Sequence, residues 1–253
     1  FSIRNKKYSL SKNDGKNTLH GGKKGFQALA WKKIKITKNK IVYELNSNHL
    51  DQGFPANLLV KCLYQLKNKF LIIKYEYISD KPTHVNLTNH SYWNLNRIKK
   101  NKIFDHDLLL NSNKYLEINK YLIPTGKIKN TRKTIYDFTN FQNFKEKFLQ
   151  IKKANIKKIK GYDTTFVLNK TFNNYVGSLK NVKTKIKLDF FSDLPSVQLY
   201  TAQDLKYKNK LSSYEGICLE TQYFPDTPNK KKFPSTLTKS NKINTCFTKI
   251  KIN

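Results

Sequence analysis

The chain has 253 residues, 38% of them hydrophobic and 13% aromatic, with a formal charge of +32. That is enough length and apolar content to bury a sizeable core, which excludes a disordered polymer. No run of about 18 apolar residues exists to cross a membrane as a helix, and no signal-peptide core stands at the front. The three cysteines, Cys62, Cys218 and Cys246, are odd in number and lack metal-ligand spacing, so a disulfide framework is not expected and a reducing cytoplasm is the expected compartment.

From Phe1 to Leu10 the pattern is strand-like, with a turn at Lys12-Asn-Asp-Gly15 and a pair of glycines in Leu19-His-Gly-Gly22. Ile34 to Leu45 reads as a hairpin turning at Lys38-Asn-Lys40. Leu58 to Leu66 and Phe70 to Ile78 alternate as a second hairpin about Lys67-Asn-Lys69. Val85 to Leu95 reads as a strand that turns polar, and Asp105 to Leu110 as another strand. Leu122-Ile-Pro-Thr-Gly126 is a turn. Phe138 to Gln150 is the one helical segment, with Asp137 or Thr139 at its cap. Strands are expected again over Gly161–Leu168, Val182–Phe191, Val197–Thr201, the segment leading to Glu220, and Asn244–Ile252. The expectation is an all-β chain, a large antiparallel β-sandwich in a single domain spanning residues 1–253.

The charge invites a nucleic-acid reading. Lysine is spread over nearly every segment, however, and arginine occurs only at Arg4, Arg97 and Arg132. Specific binders cluster their cations and use arginine for bidentate contacts. The excess of Lys, Asn, Ile and Tyr fits an A+T-rich coding sequence, so no specific nucleic-acid partner and no membrane partner is expected.

Polar groups at strand ends or turns carry the chemistry: His90, His106, Asp163 and Glu220. Glu220 follows the apolar run Ile217-Cys-Leu219. It either points to water at a sheet edge or sits in a pocket that raises its pKa. Two histidines and two carboxylates are also a conceivable metal set, but no pair has the close spacing of a helix-borne ligand motif.

Six motifs then occur in order. They are Leu19-His-Gly-Gly22 with Gly25-Phe26 and Trp31, Asn86-Leu-Thr-Asn-His-Ser-Tyr-Trp-Asn-Leu95, and Leu122-Ile-Pro-Thr-Gly126. Gly161-Tyr-Asp163, Val197-Gln-Leu-Tyr-Thr201 and Leu219-Glu-Thr-Gln222 with Pro225-Asp226 and Asn229 complete the series. Together they resemble aldose 1-epimerases (galactose mutarotases) along the whole chain. The resemblance implies a galactose mutarotase-like β-sandwich with a cleft for a free hexose, no cofactor and no metal, as a monomer or weak dimer. It also implies Glu220 as general base, His106 as general acid, His90 beside the ring oxygen, and Asp163 and Gln198 on sugar hydroxyls. The same fold that kept sugar binding but lost turnover is the alternative. Thr164 stands where the family commonly has a histidine after the aspartate, which would alter one sugar contact. The family's Gly-Arg-x-x-Asn-Arg motif does not occur ahead of these, and position 1 is Phe, so an N-terminally incomplete chain is expected.

Overall fold

The computed structural model describes residues 1–98, 101–154, 160–206 and 212–253. They form two compact units, Phe1–Leu87 with Asp226–Phe247 and Thr88–Pro225 with Thr248–Asn253.

The first unit starts with a minimal hairpin, β1 (Ser2–Ile3) and β2 (Lys6–Lys7), where a full strand was expected. Arg4 breaks it with a φ of 53°. An antiparallel meander follows, β3 (Lys32–Thr37), β4 (Lys40–Ser47), β5 (Leu58–Lys67) and β6 (Phe70–Ser79). The alternation in β5 and β6 buries Leu58, Val60 and Cys62 together with Ile73, Tyr75 and Tyr77. Asn68 and Lys69 join these two strands with φ of 48° and 64°, the left-handed pair that suits the twist of a two-residue hairpin.

The second unit holds β7 (His106–Leu110), β8 (Lys114–Ile118), β9 (Pro124–Asn130), β10 (Gln142–Asn143) and the helix α1 (Phe144–Lys153). Strands β11 (Asp163–Val167), β12 (Tyr175–Asn181), β13 (Lys187–Ser192), β14 (Ser196–Tyr200) and β15 (Cys218–Gln222) follow. The last strand, β16 (Asn244–Ile252), contributes Thr248 onward to this unit. One sheet runs β10-β7-β12-β13-β16 and the other β15-β14-β11-β8-β9, every pair antiparallel. This is the layered antiparallel β architecture expected from the sequence. Thr221 of β15 and Thr248 of β16 share a hydroxyl hydrogen bond of 2.5 Å that ties the two sheets. Phe138, Tyr162 and Phe166 are fully buried and meet edge to face, with centroids 5.1 and 5.9 Å from Phe138.

The expected strand Val182–Phe191 begins only at Lys187, and Tyr175–Asn181 is a strand that was not expected. Two further elements differ. The helix begins six residues later than read. The backbone N–H of Lys145 donates to the Asn143 side chain, which caps it, and Phe138 has been claimed by the core. The stretch from Thr88 to Leu95 is not a strand; it makes only the isolated bridge Trp93–Ile217. Side chains do the work of a ladder there. Asn94 donates to the carbonyls of Asn101 and Glu215, and the Leu95 N–H donates to His106.

Candidate functional site

Strand register assembles the site. Side chains alternate across a sheet, and directly paired residues share a face. Gln198 pairs with Glu220 and with Thr165, while Tyr200 pairs with Cys218 and with Asp163. One face of β11, β14 and β15 therefore carries Asp163, Thr165, Gln198, Tyr200, Cys218 and Glu220. The other carries Thr164, Phe166, Val197, Leu199 and Leu219, all buried. The apolar face pins the sheet to the core, so the polar face is displayed in a fixed register.

Asp163 and Gln198 meet on that polar face. The Gln198 amide donates to Asp163 Oδ1 at 2.5 Å, and Thr165 Oγ1 donates to Gln198 Oε1 at 2.5 Å. With its oxygen engaged by Thr165, the Gln198 amide can only offer N–H toward Asp163. Glu220 is only 5% exposed. Burial first, and the nearby charge of Asp163 second, push its pKa up to about 8. Of the two readings of this carboxylate, the pocket is the one observed.

The Thr88–Leu95 segment lays His90 over these strands. His90 Nε2 stands 3.6 Å from Glu220 Oε1, and its Nδ1 stands 3.5 Å from Cys218 Sγ. The ring stacks on Tyr92 at 5.1 Å and meets Tyr200 edge-on at 6.4 Å. About a third of the His90 side chain remains open to solvent.

His106, the acid that the resemblance implies, lies outside this cluster. It opens β7 with no solvent exposure. Its Nε2 accepts the Leu95 N–H at 2.8 Å, so Nδ1 carries the proton and donates to the Ile103 carbonyl at 3.1 Å. Burial pushes its pKa down to about 4, and the ring is a neutral clamp on the end of the Thr88–Leu95 segment. A ring with both nitrogens spent on backbone and no open face cannot reach a sugar. Thr164 pairs with Leu199 on the apolar face and is buried there.

Sequence reading passed over Tyr92, Thr165, Tyr200 and Cys218. The period-2 spacing from Asp163 to Thr165, from Gln198 to Tyr200 and from Cys218 to Glu220 is the signal that places them on the site's face. A surface hollow of about 660 Å³ lined by Lys133, Asp137, Asn140, Lys147 and Lys153 shares no residue with this cluster. What the cluster offers is one buried carboxylate of raised pKa beside one half-open imidazole, with a carboxylate–amide pair and two tyrosine rings around them.

Comparison with known proteins places the chain. Residues 1–251 match the family model described as aldose 1-epimerase. The chain is 33% identical over 236 residues to an aldose 1-epimerase of Haemophilus influenzae, covering 90% of this chain and 68% of that protein. It is 32% identical over 246 residues to galactose mutarotase of Bos taurus, covering 94% of this chain and 70% of the relative. A crystal structure of an aldose epimerase homologue from C. elegans superposes with a TM-score of 0.90 over the whole of this chain and 77% of its own, at 22% identity, which speaks for the fold. The chain belongs to the aldose 1-epimerase family, the mutarotase enzymes.

Proposed function

We propose that this site interconverts the α- and β-anomers of a free hexose, galactose or glucose, with Glu220 as base and His90 as acid. The observation that carries the proposal is the 3.6 Å approach of His90 Nε2 to Glu220 Oε1 on the polar face that also bears Asp163 and Gln198. Mutarotation removes the proton of the C1 hydroxyl and delivers one to the ring oxygen. Both oxygens are bonded to C1, so base and acid must stand side by side, as these two do. As the C1 hydroxyl proton passes to Glu220, the C1 carbonyl forms. The C1–O5 bond breaks, and its electron pair takes a proton from His90. Rotation about C1–C2 presents the other face of the aldehyde; on reclosure the C5 hydroxyl gives its proton back to His90 as its oxygen attacks C1, and Glu220 returns its proton to the C1 oxygen, so the enzyme ends as it began.

With a carboxylate pKa near 8, the ionised form of Glu220 holds a proton far more tightly than an ordinary glutamate does, and it is that form, a minority at neutral pH, that acts as base. Asp163 and Gln198, turned to each other on the same face, suit adjacent sugar hydroxyls, and Tyr92 and Tyr200 offer ring faces to the sugar's C–H surface.

Polarimetry on freshly dissolved α-galactose tests this. The wild type should outpace spontaneous mutarotation. Glu220→Gln should lose about 10²–10⁴ of that acceleration while still binding galactose, because the amide keeps the shape and cannot take the proton. Full activity in Glu220→Gln would overturn the assignment. A wild type that binds galactose without accelerating the reaction would support the non-catalytic sugar-binding alternative.

A further inference from the structure

We propose that His90, Cys218 and Glu220 form a binding site for a thiophilic divalent cation, Zn²⁺ or Cd²⁺, whose occupancy switches the site off. One ligand atom from each residue lies within 4.8 Å of the other two. His90 offers a given ion one nitrogen: Nδ1 stands 3.5 Å from Cys218 Sγ and Nε2 3.6 Å from Glu220 Oε1, each close to a tetrahedral edge of about 3.4–3.7 Å for metal bonds of about 2.0–2.3 Å, and a small turn of the ring brings the ligating nitrogen onto both partners. Cys218 and Glu220 stand two residues apart on one strand, so the pleat sets their spacing before any metal arrives. His90 comes down on them from a separate segment. A thiolate, an imidazole and a carboxylate suit zinc and cadmium, and do not suit magnesium or calcium, which prefer all-oxygen shells. Cys218 and Glu220 are buried, while the open third of His90 leaves a side where solvent completes the coordination.

Cys62 and Cys246 are buried in the first unit and join no such cluster among the described residues. On binding, the cation replaces the Cys218 thiol proton and any proton on Glu220, both of which pass to solvent. No electron is transferred. The metal then holds a nitrogen of His90 and an oxygen of Glu220. The inhibition this implies rests on the mutarotase reading above, whereas the binding itself does not.

The full chain titrated with Cd²⁺ should show sulfur-to-cadmium charge-transfer absorption that saturates at one metal per chain. Cys62→Ser and Cys246→Ser should keep the signal. Cys218→Ser and Cys218→Ala should lose it. In parallel, Zn²⁺ should slow mutarotation, a chelator should restore it, and excess galactose should protect. With each protein's metal-free rate as its own reference, Cys218→Ser should need over ~100-fold more Zn²⁺ for half inhibition, beyond the ~10–100-fold cost of losing an outer partner of a ligand. A wild type without the charge-transfer band, or a band that persists in folded Cys218 variants, would overturn the proposal. So would equal zinc sensitivity in Cys218→Ser. A protein that never accelerates mutarotation yet binds cadmium through Cys218 would sink the enzyme reading and leave this one standing.

Discussion

Glu220 shows what a single residue contributes and costs. Its folded pKa of about 8 lies above the ordinary 4.5, so the folded protein keeps a proton that the unfolded chain has given up. The stability from that proton is fully present below about pH 4.5 and is lost as pH rises through about 8. Glu220→Gln has no such proton to lose. Relative to wild type, the variant should gain stability between pH 5 and pH 9, by roughly 3–5 kcal/mol at the upper limit. Urea melts of both proteins at the two pH values check this, and an unchanged difference would contradict the burial argument. From sequence, Glu220 had two readings because a strand-end carboxylate says nothing of what covers it; the His90 segment does the covering. The surroundings of His106 were hidden for a related reason. Sequence shows a histidine between two aspartates at 106, but not that the backbone of Ile103 and Leu95 takes both its nitrogens.

At the scale of elements, the strands were the most legible part. The hairpin of β5 and β6 and the short runs β11, β14 and β15 follow from alternation that buries one face, and a one-residue slip would turn that face outward. Once the register of β14 on β15 is known, half of the site follows. The Thr88–Leu95 segment was not legible as a non-strand, because what holds it is a single bridge to Ile217, the Asn94 side chain on distant carbonyls and His106 on the Leu95 N–H. The helix start was misplaced because Phe138, apolar and just ahead of the helix, was claimed by the aromatic core. Gly216 couples these elements. A Cβ there would come within 2.9 Å of Tyr92 Cβ, so Gly216→Ala should push away the ring on which His90 stacks. The expected result is a ~3- to 100-fold loss in kcat, since misplacement of a catalytic group by about 1 Å can cost that much. Polarimetry beside a thermal melt separates this from unfolding, and an unaltered kcat would show that Tyr92 does not position His90.

Over the whole molecule, the +32 charge is carried by dispersed lysines, and the ion pairs seen among the described residues are mostly lysine to single carboxylates at the surface. Such pairs contribute little. The field should still attract polyanions without choosing among them. Duplex DNA should bind weakly, without sequence preference, and the affinity should fall steeply as salt rises from low to physiological. Fluorescence anisotropy with two unrelated duplexes reads this directly. Nanomolar, sequence-selective binding at physiological salt would mean the charge is a recognition surface after all.

The pairing of His90 with Glu220 is the central claim, and comparing the two histidine variants tests it most directly. His90→Gln and His106→Asn should be assayed by polarimetry on α-galactose, with rates expressed per folded molecule from circular dichroism melts. His90→Gln should lose about 10²–10⁴ of the acceleration with little change in melting temperature, because the side chain donates a proton and is part-exposed. His106→Asn should melt several degrees lower, since two buried backbone groups lose their partner, and its folded fraction should keep most of its rate. A His90→Gln protein that keeps its full rate, beside a well-folded His106→Asn protein that loses it, would contradict the account.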